Sequence, residues 1–555
     1  MVRRPSIPLV IVIAMAAACG SDNAAGPPAP TCHASTASPV TLAVGAYTSI
    51  DPATDAGCIT VAVNASAIDS AEYLLVPQSA AGTPDVSSPF HLQATSLQPT
   101  APVAAAAATS APWQRSIVVS FDMFLRRAAA SHNYGTPPAT AARLGSTPAV
   151  VAAAPPALGS TRGFKVCGDL NCSTFKNVGA RVQKLGQHIA VYIDTLAPAN
   201  GLTSTDLDTI KTVFDSILYP IDTTAFGRET DVDNNGVVIV LMAGAVNQLT
   251  PKAQCSSPGG AFIAGFFFPA DLDPLVRTQY NNGEIFYSIV PDSAGTLSCA
   301  HSRAEVKHST PITFTHEFQH MINYGQHVIV HSGAPEEGWL DEGLSKYAEE
   351  LGGRYYLQRA DTATFSLYAF NDVDDAYQYL SATGGSPLLI PVDQGTLPEI
   401  GASWLFVRYI VDQYGDTLPR KLVQSSFAGA ANVQVKTGQA FATTVSRWAL
   451  ANWVSDLPGF TAPPELKYTS WHFRRTFGSL NAQDPAHFPN PYPLIPTVSA
   501  GSAVSVSGTL FAGSGVYHRA LQGPGAQAFT LFLSSDGTSA LPATVVPRID
   551  VIRIR

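Results

Sequence analysis

Two histidines four residues apart, with a glutamate directly after the first, constrain this chain more than any other feature. The segment His316-Glu317-Phe318-Gln319-His320 acts as one chemical unit on an α-helix, where residues four apart share a face and both imidazoles reach a common point. Glu317 then lies one step round the helix, turned toward the position that the two ring nitrogens leave open. The neighbouring sequence predicts that helix: Thr310 reads as its N-cap, Pro311 as a first-turn proline and Gly325 as a left-handed stop.

Imidazoles at this spacing suit zinc, and a catalytic zinc takes a third protein ligand and keeps one position open. Glu342, 22 positions beyond His320 in Gly338-Trp339-Leu340-Asp341-Glu342-Gly343-Leu344-Ser345, supplies that ligand across a helix end, a loop and a returning antiparallel helix. His327 is the alternative third ligand. Seven of the 12 Glu fall between Glu305 and Glu350, and six of the 13 His between His301 and His331, so the metal-binding residue types crowd into one stretch. Within it, Glu349 and Glu350 read as a solvated acidic helix face, and His301, His308, His327 and His331 as loop or surface residues. The alternative to a metal centre is an ion-paired structural cluster.

At roughly 100 to 200 residues per domain, 555 residues imply about three or four units. Residues 1–18 read as an export signal: Arg3 and Arg4, a short apolar run, then small residues before Cys19. Ala16-Ala17-Ala18-Cys19-Gly20 is similar to the lipobox of bacterial lipoproteins, which implies a lipid on Cys19; free secretion is the alternative. No later stretch is long and apolar enough for a transmembrane helix. Six further cysteines fit three bridges in an oxidising compartment, paired by proximity as Cys32–Cys58, Cys167–Cys172 and Cys255–Cys299. A net charge of −9 provides no basic surface for nucleic acid.

Short alternating runs make 19–115 a tether followed by a small β-rich domain, and Ala, Pro, Ser and Thr dominate from about 78 to 115 and again from Thr136 to Ser160. The interval 116–160 is read as linker or pro-region, with helical character over Phe121–Ala130. From 161 to 330 a hairpin about Gly186, a helix through Leu207, Ile210, Phe214 and Ile217, and apolar runs at Val237–Leu241, Phe262–Phe268 and Ile285–Val290 describe a sheet. From 331 to 485 the pattern is helical (Trp339–Leu351, Ser403–Gln413, Thr443–Asp456), and from 490 to 555 short strands return. The fold class is therefore α+β.

The run His316–Tyr324 (HEFQHMINY) followed by Trp339–Ala348 (WLDEGLSKYA) resembles the hyicolysin family of extracellular bacterial metallopeptidases, in the gluzincin group that includes thermolysin. Gly401–Gly415 and Asp231–Leu241 extend the likeness over about 160–455. It implies a thermolysin-like core, a mixed sheet carrying the HExxH helix and a helical subdomain, between small β-rich ends. It also implies zinc on His316, His320 and Glu342, with Glu317 as general base. A metzincin would carry glycine at 323 and histidine at 326, where this chain has Asn323 and Gln326. The Gly-Ala-Met-Glu-Asn string of related aminopeptidases is missing, which favours endopeptidase action.

The expected function is zinc-dependent hydrolysis of extracellular polypeptides by an exported monomer, touching a membrane only through Cys19. The alternative is a catalytically silent surface-binding lipoprotein with the same fold; a serine hydrolase lacks its GxSxG elbow. Ala261–Phe268 is the expected strand for an extended substrate, or an ordinary buried strand. The oxyanion partner is unassigned among Tyr347, Tyr379 and Tyr409, each equally a packing residue. Asp231, Asp233, Asn235 and Gly236 read either as half of a calcium (Ca2+) loop or as an Asx-type turn, since Met242 occupies the twelfth position, where an EF-hand needs a carboxylate.

Overall fold

A computed structural model describes residues 39–52, 57–95, 116–135, 154–255, 260–391, 395–537 and 539–555. The signal over 1–18, Cys19 and Cys32 lie outside the described residues.

The chain begins with β1 (Tyr47–Ile50), β2 (Cys58–Val61), β3 (Ala71–Ser79) and β4 (Ser87–Ala94), then α1 (Ile117–Ser131). β4 and α1 fall in stretches read as linker. Composition hides β4, which pairs with strands from the far end of the chain.

The central sheet comprises β5 (Thr161–Cys167), β6 (Phe175–Leu185), β7 (Ile189–Asp194), β8 (Val238–Met242), β9 (Gly265–Phe267) and β10 (Ile285–Ser288), with α2 (Ser204–Val213) after β7. Their order is β5-β6-β7-β8-β10-β9. The pairs β7–β8 and β8–β10 are parallel, and β9 closes one edge antiparallel to β10. β6 buries Val178, Ala180 and Val182 and exposes the residues between them, the period of a one-sided strand. The central β8 is buried throughout, as expected of a parallel strand covered on both faces. Only Gly265–Phe267 of the expected strand Phe262–Phe268 enters the sheet.

Helix α3 (Arg303–Tyr324) carries the two histidines across this sheet, with Phe314 edge-on to Phe286 at 4.4 Å and Phe318 against Phe214 at 5.3 Å. Its N-cap, Ser302, lies eight residues before the expected one. Ser302 Oγ accepts from the Glu305 N–H, and Glu305 Oε2 accepts from the Ser302 N–H, a capping box that outranks Thr310. Pro311 therefore lies inside the helix. Gly325 does not stop it either: its φ is −59° and the chain continues through a wide turn to Val330. A β-carbon on Gly325 would lie 3.1 Å from Thr230, so close approach is the reason for a glycine there.

The helical half contains α4 (Gly338–Leu357), α5 (Thr362–Ser381), α6 (Leu397–Tyr414) and α7 (Phe441–Val454). α4 packs against α3, α5 and α6 together. The chain ends with β11 (Thr497–Ala500), β12 (Ser505–Phe511), β13 (His518–Gln522), β14 (Phe529–Ser534) and β15 (Pro547–Arg553).

The two β-rich ends, expected as separate domains, interleave in two sheets of order β1-β15-β3-β13-β11 and β12-β4-β14-β2. The reason lies in β3, a nine-residue strand buried along its whole length. Tyr73 and Leu75 point into the core between these sheets, while Leu74 and Val76 join the larger core shared by the central sheet and the helices. The two cores cover its faces, and the C-terminal strands β13 and β15 pair with its two edges. Cys167–Cys172 and Cys255–Cys299 are bridged, with Cα separations of 4.7 and 5.8 Å.

A chain ending at residue 496 removes both neighbours of β3. Its N-terminal strands are expected to lose their protection, and limited proteolysis should cut within 39–95 under conditions in which the full chain resists.

Candidate metal centre

His316 and His320 project from one face of α3 toward the second turn of α4, where Glu342 is 2% exposed. On the other side of α4, Gly343 lets α6 pack closely; a β-carbon there would meet the Ser403 carbonyl at 2.7 Å. The two Nε2 atoms are 3.2 Å apart, and each lies 3.5 Å from a Glu342 carboxylate oxygen. Zinc bonds of 2.0–2.1 Å in a tetrahedron set ligand atoms about 3.3 Å apart, which these separations match.

The other ring nitrogens show why this cluster calls for a cation. His316 Nδ1 is 2.8 Å from Glu349 Oε1, and His320 Nδ1 is 2.9 Å from Asp341 Oδ2, with Ser345 Oγ 3.0 Å away. Carboxylates at both Nδ1 atoms fix the two rings from behind, the outer contact that orients metal-binding imidazoles. The two Nε2 atoms then face a buried carboxylate whose Oε1 has no hydrogen-bond partner. A divalent ion between the three residues would satisfy both nitrogens and the carboxylate at once.

Glu317, 4% exposed, accepts from the Phe267 N–H of edge strand β9 at 2.8 Å through Oε2. The edge strand thus fixes the orientation of this carboxylate.

The supporting residues are largely those that the sequence hides. Glu349 and Glu350 are buried, not solvated. Lys346 Nζ lies 3.2 Å from Glu349 and 3.4 Å from Asp372. Burial works to raise the Glu349 carboxyl, and the adjacent Lys346 and His316 outweigh it and hold it below its ordinary range. Glu350 serves as a joint of the helical half, accepting from Trp471 at 2.8 Å and from Trp404 at 3.1 Å and pairing with Arg354 and Arg408. From α1 come Arg126, paired with Asp341 at 2.9 Å, and Asp122, whose carboxyl burial and then the charges of Glu342 and Glu317 push well above its usual range. The available signal was the i,i+3 and i,i+7 spacing of Glu342, Ser345 and Glu349, which places all three on one face of a helix.

The remaining expectations divide. His308 and His331 are exposed, whereas His301 is buried against Glu305 and His327 is fully buried 3.6 Å from Glu336, outside the metal-binding group. Tyr347, Tyr379 and Tyr409 are packing residues: Arg408 sits over Tyr347, Tyr379 stacks on Trp448 and Tyr409 donates to the Glu465 carbonyl. The loop at 231–236 makes the hydrogen bonds of an Asx-type turn, with the Asn235 and Gly236 amides on Asp233 and Asp231. Glu284 joins the two aspartates, with ligand atoms within 4.8 Å of one another.

No family model matches the chain. It is similar to a neutral metalloprotease, ShpI, of Staphylococcus hyicus, at 26% identity over 231 residues, or 40% of this chain and 47% of that protein. The match thus spans about half of the relative's length. Among the described residues no helix is long and apolar enough to cross a membrane.

Glu349→Gln and Asp341→Asn each weaken the hold on one imidazole and are expected to lower zinc affinity about 10- to 100-fold, read by competition with a chromogenic chelator. Glu342→Gln should cost more than either.

Proposed function

We propose that this protein is a zinc-dependent endopeptidase of the hyicolysin-like, gluzincin type, with His316, His320 and Glu342 as ligands and Glu317 as general base. The observation that carries this reading is the convergence of two Nε2 atoms and a buried carboxylate, each imidazole fixed from behind by an acid. The similarity to a metalloprotease points the same way.

Zinc held there supplies Lewis-acid polarisation of a peptide carbonyl and acidification of water at neutral pH. With Oε2 of Glu317 engaged by the Phe267 N–H, Oε1 is free to take the proton of the attacking water and to pass it to the leaving amine. β9 lies at the sheet edge beside this base, placed to align an extended polypeptide. The same reading has residues 1–18 export the chain and a lipid hold it through Cys19, testable by mass measurement of the mature N-terminus.

Glu317→Gln is expected to lower casein cleavage by about 10²- to 10⁴-fold while zinc content is retained, and chelation should abolish cleavage reversibly. Equal activity in wild type, variant and chelated protein sinks the proposal. Wild type that binds zinc and cleaves nothing indicates the silent binding module.

A further inference from the structure

Helix α1 lies between two Ala-, Pro-, Ser- and Thr-rich stretches, the setting that reads as linker or removable pro-region. Its packing describes something else. Val119 fills the space where a side chain on Gly395 would project, 2.4 Å from that ideal β-carbon, and Met123 Sδ occupies the equivalent space over Gly338 at 2.9 Å. On another face Phe121 meets Phe266 of the edge strand at 5.2 Å, ring edge to ring face. Beyond the helix, Tyr134 donates to Asp273 at 2.8 Å. The helix thus joins the start of α4 to β9, the elements that carry Glu342 and orient Glu317.

Arg126 makes the decisive contact. Its Nη1 lies 2.9 Å from Asp341 Oδ2, with both side chains 7% exposed. The same Oδ2 receives His320 Nδ1 at 2.9 Å, while Oδ1 receives the Asn323 amide. Arg126 and Asn323 hold the carboxylate from two sides, so Oδ2 stays turned to His320. Without the guanidinium, Asp341 would hold a buried charge with no cation against it and would be free to rotate away.

We propose that Arg126 is a positioning residue of the metal centre, acting through Asp341 on His320, and that α1 belongs to the working catalytic unit and is kept on maturation. This rests on the zinc reading above, and the test separates the two.

Zinc affinity is measured by chelator competition on the full chain for wild type, Arg126→Met, Arg126→Lys, Asp341→Asn and the double variant Arg126→Met/Asp341→Asn, with thermal melts alongside. Arg126→Met should weaken zinc about 10- to 100-fold, and Arg126→Lys should recover most of that loss. In the Asp341→Asn background, Arg126→Met should change affinity by less than about twofold. The double variant removes the buried charge at both ends and keeps the comparison open where Arg126→Met alone does not fold. A wild-type chain that takes up no zinc sinks the metal reading itself. A wild type that binds zinc, with Arg126→Met unchanged or with losses that multiply in the double variant, overturns the role of Arg126. Active protein recovered from cells should contain peptides from 116–135; active protein lacking them overturns the retention of α1.

Discussion

Two imidazole nitrogens held 3.2 Å apart beside a buried carboxylate oxygen with no hydrogen-bond partner form an arrangement that a cation between them would complete. Much of the surrounding structure sustains that arrangement. α3 supplies the spacing of the rings, and α4, packed against it, supplies the carboxylate. The acids behind each ring fix its orientation, so both Nε2 atoms face the Glu342 carboxylate.

Those outer acids need compensation of their own, and each receives it from a different part of the chain. Glu349 is set against Lys346 on its own helix, and Asp341 against Arg126 on a helix more than 200 residues earlier. Glu350, one residue beyond Glu349, anchors two arginines and two tryptophans of the helical half. The charged stretch that reads as a solvent-facing surface is thus an interior network, where paired charge substitutes for water.

The chain ends meet for a different reason. β3 buries both of its faces, and the strands that cover its edges come from the last 60 or so residues. Tyr517 of this terminal region donates to the Ala449 carbonyl at 2.8 Å, and Ser49 and Ser446 hydroxyls lie 3.2 Å apart. The two-sheet unit is therefore seated directly on α7 of the helical half.

Local pattern made much of this legible. The HExxH spacing, the hairpin about Gly186, the buried strand at Val238–Met242 and the helices over Glu342 and Trp404 all depend on neighbours within a few turns, and periodicity records such neighbours. The start of α3 was written in Ser302 and Glu305 but was masked by a second plausible cap at Thr310. Long-range pairing left no comparable mark. Nothing in the order of residues says that β15 lies beside β3, that Arg126 reaches Asp341 or that Phe267 orients Glu317, because each contact is chosen by complementary burial and charge between segments far apart. The sequence by itself determined the ligand types and their helical register, since spacing within a helix is geometry. Only the tertiary structure decided which acids stand behind the histidines, since the partner of a buried charge is whichever opposite group the fold brings within reach.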